Sequence, residues 1–119
     1  MAKDPVKRKK FVRSALQFVV MHQFDGLDID WEYPSKRQGA PEDKENFIYL
    51  LSDLYKVFSK NNLLLTAAIG APAQTIDISY NIPMMYKYLD YVHVMCYDYH
   101  GKWDKAAGHN APLHPRPNE

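Results

Sequence analysis

The apolar positions of this chain follow two rhythms. Phe11, Val12, Ala15, Leu16, Val19 and Val20 recur at three- and four-residue intervals, which places them on one face of an α-helix. Asp4 and Pro5 supply its start, a capping side chain followed by a proline whose missing N–H costs nothing in a first turn. Together they predict a helix over 5–22. Over 24–32 the period drops to two: after Gly26, Leu27, Ile29 and Trp31 alternate with Asp28, Asp30 and Glu32. That pattern predicts a strand, ended by Tyr33-Pro34. A polar loop fills 35–40. Pro41 opens a second helix, with Glu42 and Asp43 in a first turn that favours acids. Its stripe is Phe47, Leu50, Leu51, Leu54, Val57 and Phe58, and Asn61-Asn62 close it. Residues 63–69 read as a buried strand, 70–79 as irregular, 82–89 as a short helix entered at Pro83, and 91–97 as a third strand. From 101 to 119 glycine, asparagine and proline predict a long loop.

Helices alternating with strands predict an α/β chain of parallel βαβ units. Three strands are too few for a closed barrel, which takes about 250 residues. An open parallel sheet of that size leaves two bare edges and one uncovered face. The composition, 46% hydrophobic and 24% charged over 119 residues, is globular rather than disordered. A net charge of +1 gives no support to nucleic-acid binding. The one basic cluster, Lys7, Arg8, Lys9, Lys10 and Arg13, reads as a solvated helix face. No run approaches the roughly 18 apolar residues of a membrane span. Cys96 is the single cysteine, so no internal disulfide is expected. It alternates with Met95 and Tyr97 and is expected to be a buried, inert thiol. No secretory signal precedes the first helix, and Met1 reads as an internal methionine of a longer parent.

The acidic strand carries the chemistry. Acids are depleted from ordinary strands, yet Asp28, Asp30 and Glu32 occupy alternate positions and so share one face, about 6.5–7 Å apart in sequence order. On an edge strand with one wetted face they would merely be solvated. Within a parallel sheet covered on both faces, three carboxylates cannot all stay ionised, and one would be held as the protonated acid that proton transfer requires. Leu27, Ile29, Trp31 and the apolar helices on both sides favour the second reading. His22, His93, His100, His109 and His114 are scattered without ligand spacing, so neither a metal nor another cofactor is expected. Asp43 and Asp104 read as solvated.

The segment Asp25-Gly26-Leu27-Asp28-Ile29-Asp30-Trp31-Glu32, followed by Tyr33-Pro34, resembles the DxxDxDxE motif of glycoside hydrolase family 18, the chitinases. The resemblance continues through Leu65-Thr66-Ala67-Ala68 and through Met95-Cys96-Tyr97-Asp98-Tyr99-His100-Gly101, and is strongest to animal and arthropod chitinases. It implies a partial (β/α)8 TIM barrel of about three parallel strands with intervening helices. Residues 1–119 would then be a fragment of the catalytic domain, from about the third helix to the loop after the sixth strand, with the rest of the barrel missing.

The family cleaves β-1,4-linked N-acetylglucosamine polymers with retention, and the substrate's acetamido oxygen serves as nucleophile. The resemblance implies Glu32 as general acid and base, Asp30 as the group that orients the acetamide, Asp28 as its proton-sharing partner, and Tyr97 as a donor to the acetamido carbonyl. Met95 and Asp98 would line the reacting subsite, with Tyr33 and Trp103 touching sugar on the leaving-group side. Simpler readings stand beside these: Met95, Tyr97 and Trp103 as packing, Asp98 as a turn residue. The implied partner is chitin or an N-acetylglucosamine oligosaccharide, and the implied location is extracellular. The alternative is a non-catalytic chitin- or oligosaccharide-binding relative. Such relatives usually lose the acid at the last motif position, which here is Glu32.

Overall fold

Asp4 starts the first helix as its sequence predicts: its Oδ1 accepts from the backbone N–H of Val6 at 2.8 Å and of Lys7 at 3.1 Å. This helix, α1, runs Pro5–Met21 in the computed structural model, which describes residues 1–115. The last part of the predicted terminal loop, 116–119, lies outside the described residues. After α1 come β1 (Gly26–Asp30), α2 (Asp43–Phe58), β2 (Leu64–Gly70), α3 (Ala73–Ser79), α4 (Ile82–Met85) and β3 (Tyr91–Met95). The strands form one parallel sheet in the order β1-β2-β3, with Asp28 opposite Thr66 and Thr66 opposite Tyr91.

The helix-side layer holds the core. Leu51, Leu54 and Phe58 of α2 pack with Leu65, Ala67 and Ile69 of β2, joined by Val12 and Val19 of α1. Each fully buried side chain of this size stabilises by about 2 kcal/mol. Trp31 points to this side and meets Phe47 edge-on, centroids 5.8 Å apart. Arg8 corrects the solvated reading of the basic cluster: its Nε donates to Asp53 Oδ2 at 3.0 Å and its Nη1 to the Ala2 carbonyl at 2.8 Å. Burial raises the Asp53 pKa, but hydrogen bonds from Arg8 and Lys56 outweigh it and hold the carboxyl below its usual range. Asp43 is likewise engaged rather than merely solvated, accepting from Ala40 N–H and Asn46 Nδ2.

Several boundaries differ from the sequence reading. Residues 73–79, read as irregular, form α3. Its β-branched residues are poor helix formers, but Thr75 and Ser79 are buried, and the N–H groups of Thr75 and Ile76 bond the Pro72 carbonyl. The helix expected over 82–89 stops at Met85 and continues only as turns. β1 ends at Asp30 and β3 at Met95, so Glu32 and Tyr97 stand beyond the ladder rather than in it. Cys96, expected buried, is exposed. Its side of β3 has no covering helix among the described residues, and Val92 and Val94 on the same side are 42% and 48% exposed.

The radius of gyration is 16.6 Å, against about 13.5 Å for a compact domain of this length. Among the described residues one face and both edges of the sheet stand open, and the loop after β3 extends from it. The three strands and their helices are a segment of a (β/α)8 barrel, not a closed globule.

Candidate active site

Register decides which side chains meet. In a parallel ladder, partners project from the same face. Asp28 and Thr66 are partners, as are Asp30 and Ala68, Ala68 and His93, and Gly70 and Met95. The face opposite the helices therefore carries Asp28, Asp30, Thr66, His93 and Met95, with Ala68 and Gly70 leaving room beside the acids. The Thr66 hydroxyl donates to Asp28 Oδ1 at 2.6 Å across the ladder.

Glu32 follows β1, at the strand's C-terminal end. Its Oε2 lies 3.4 Å from Arg37 Nη1, and it pairs with the Tyr33 hydroxyl. The peptide bond between Glu32 and Tyr33 is cis. Burial is the largest influence raising the Tyr33 phenol pKa, followed by the charge of Glu32 and their hydrogen bond. Tyr33 thus stays a neutral donor toward the carboxylate. Its ring takes the Arg37 guanidinium at 5.1 Å and the Lys36 ammonium at 5.9 Å. Gly70 is required behind it: a Cβ there would lie 3.1 Å from Tyr33 Cε1 and 2.9 Å from Thr75 Cγ2. The Gly70 N–H donates to the buried Tyr80 hydroxyl at 3.3 Å.

Asp98 takes a left-handed backbone, φ 57°, and its Oδ1 accepts from Asn110 Nδ2 at 2.8 Å. Tyr97 and Trp103 are exposed. The Trp103 ring lies against Gly101, where a Cβ would stand 2.4 Å from it. Asp104, read as solvated, accepts from Gly101 N–H at 2.9 Å and faces His100 Nδ1 at 3.3 Å.

The structure therefore brings Asp28, Asp30 and Met95 to one face and joins Glu32 to Tyr33. No hydrogen bond among the described residues connects Tyr97, Asp98 or Trp103 to the three acids. The closed interior expected around the acids is absent: Asp28, Asp30 and Glu32 are all exposed. The helices pack on the opposite face, and nothing among the described residues covers this one. Arg37, Tyr80 and Asn110 carry no signal in the sequence, and Thr66 enters there only within the segment 65–68, with no role of its own. Thr66 had one available signal, a hydroxyl residue inside an apolar strand, but naming its partner requires the register. Among the described residues no cluster of His, Cys, Asp or Glu could hold a metal ion, and no helix is long and apolar enough to cross a membrane.

With this geometry in hand, comparison with known proteins is consistent across sequence and structure. The model of Glycosyl hydrolases family 18 matches residues 1–118. "Probable chitinase 2" of Drosophila melanogaster is 51% identical over 106 residues, which is 89% of this chain and 22% of that protein. Chitotriosidase-1 of Mus musculus is 41% identical over 94% of this chain and 26% of its own length. The Group IV chitinase of Ostrinia furnacalis superposes with a TM-score of 0.95 at 42% identity, covering 100% of this chain and 33% of that structure. Human YKL-39, described as a pseudo-chitinase with retained chitooligosaccharide binding, superposes with a TM-score of 0.78 at 34% identity, over 88% of this chain and 29% of its own. The chain spans about a quarter of the curated relatives cited and about a third of the solved structures. It belongs to glycoside hydrolase family 18.

Proposed function

We propose that this member of glycoside hydrolase family 18 carries the proton-transfer side of a chitinase active site, and that its substrate is a β-1,4-linked N-acetylglucosamine polymer or oligosaccharide. The observation that carries the reading is the pair of carboxylates Asp28 and Asp30 on one open face, with the exposed Glu32 two residues past the C-terminal end of β1. Barrel enzymes work at that end.

In this reading Glu32 protonates the glycosidic oxygen and then draws a proton from water. Asp30 turns the substrate acetamide so that its own oxygen attacks the anomeric carbon, and it offsets the positive charge of the ring formed. Asp28, held by the Thr66 hydroxyl, shares a proton with Asp30. Tyr97 donates to the acetamido carbonyl, Met95 and Asp98 line the reacting subsite, and Tyr33 and Trp103 meet the sugar on the leaving-group side. The nucleophile belongs to the substrate, so no protein nucleophile is needed. A substrate outside the cell implies an extracellular enzyme.

The stretch corresponds to the third helix through the loop after the sixth strand of the barrel. With the acids open to water, residues 1–119 alone do not exclude solvent or clamp a sugar, so the isolated chain is expected to be inactive. The competing reading is oligosaccharide binding without hydrolysis, the behaviour ascribed to YKL-39. Retention of Glu32 favours hydrolysis.

Substrate assistance gives the test. The full-length protein carrying this segment should hydrolyse fully N-acetylated chitotetraose and leave its N-deacetylated counterpart intact. Equal cleavage of both would overturn the mechanism, and binding of the acetylated sugar without cleavage would favour the competing reading.

A further inference from the structure

We propose that Asn110 is a positioning residue that aims the Asp98 carboxylate. Two bonds from this one residue reach two consecutive residues in the segment that follows β3. Its side-chain Nδ2 donates to Asp98 Oδ1 at 2.8 Å, and its backbone carbonyl accepts from Tyr99 N–H at 2.9 Å. The pair closes the twelve-residue separation between Asp98 and Asn110.

Asp98 needs such a partner. It is exposed, it lies three residues past Met95, the last residue of β3, and its backbone is left-handed at φ 57°. An exposed aspartate without a fixed partner samples several rotamers. With Oδ1 occupied by an amide donor, Oδ2 is left pointing in one direction, free to accept from a sugar hydroxyl. An amide donor also suits a carboxylate better than any acceptor would.

The loop between the two residues has its own internal order. Asp104 accepts from Gly101 N–H, and the Trp103 ring lies against Gly101. Asn110 ties this unit back to the strand end, so the residue that aims Asp98 also fixes the return of the loop that presents Trp103.

The proposal rests on the reading of Asp98 as a sugar contact, and the experiment separates the two. In the full-length protein carrying this segment, Glu32→Gln stops turnover so that binding of tetra-N-acetylchitotetraose can be followed by calorimetry. On that background Asn110→Ala, Asp98→Gly and the double variant are compared. Glycine is used at 98 because it tolerates the left-handed backbone. Asn110→Ala is expected to weaken binding about tenfold, the effect of one hydrogen bond to a charged group. Asp98→Gly should weaken it at least as much, and the double variant no more than Asp98→Gly alone, because Asn110 acts through Asp98. Unchanged affinity in Asn110→Ala beside a loss in Asp98→Gly overturns the positioning role. So do losses that multiply in the double variant. If Asp98→Gly binds like the parent, the sugar-contact reading fails, and the role of Asn110 falls with it.

Discussion

On β2, Leu65, Ala67 and Ile69 project toward the helices and are at most 4% exposed, whereas Val92 and Val94 project to the same side from β3 and are 42% and 48% exposed. The five residues are alike in chemistry and share a face. They differ in what lies above them: α2 packs over β2, and no helix covers β3 among the described residues. Burial here follows the covering element and not the residue type. The same lesson explains the acids, whose face is bare although their strand is flanked by apolar sequence.

The largest effects should come from the covered half. Leu54→Ala or Phe58→Ala is expected to lower the stability of this chain by about 3–4 kcal/mol in urea unfolding. Val94→Ala should change it by about 0.5 kcal/mol or less. Equal losses in the two regions would erase the distinction.

Next in size is the link between α1 and α2. Arg8→Ala removes a mostly buried charged hydrogen bond and should cost about 2 kcal/mol. The pH dependence has a definite sign. The folded-state pKa of Asp53 is lowered, so its contribution is present above the ordinary carboxylate range and is lost as pH falls through the lower folded value. Asp53→Asn should therefore flatten the acid side of the stability profile, read by circular dichroism from about pH 6 downward. An unchanged acid limb would refute the assignment.

A small stability effect should also fall on the open face. Thr66→Val keeps the shape and the β-branch and removes only the hydroxyl that holds Asp28. Stability should shift by about 1 kcal/mol or less, in a bond open to solvent. In the full-length protein the pH profile of kcat/KM should move, because Thr66 touches the proposed proton-sharing pair. A loss of stability comparable with that of Leu54→Ala, with no movement of the profile, would make Thr66 a packing residue.

Much of this was legible in the chain itself. The period-two run at 26–32 located the acids, the Asp4-Pro5 pair located the start of α1, and the Leu51, Leu54 and Phe58 stripe located the face that α2 buries. What could not be read depends on contacts between distant segments. The β-branched sequence of α3 argues against a helix, and only its packing against α2 and β2 makes one. Asp28 meets Thr66, and Asp98 meets Asn110, through register and loop closure that no local pattern encodes. Cys96 and the acids were expected to be buried because alternation gives the side of a sheet, not what covers it.

The central claim is that Glu32 moves the proton. In the full-length protein carrying this segment, turnover of a soluble fluorogenic chitobioside by the parent and by Glu32→Gln tests it most directly. The account predicts that Glu32→Gln loses about a hundredfold or more in kcat, while chitooligosaccharide binding persists. Turnover retained in Glu32→Gln would contradict it.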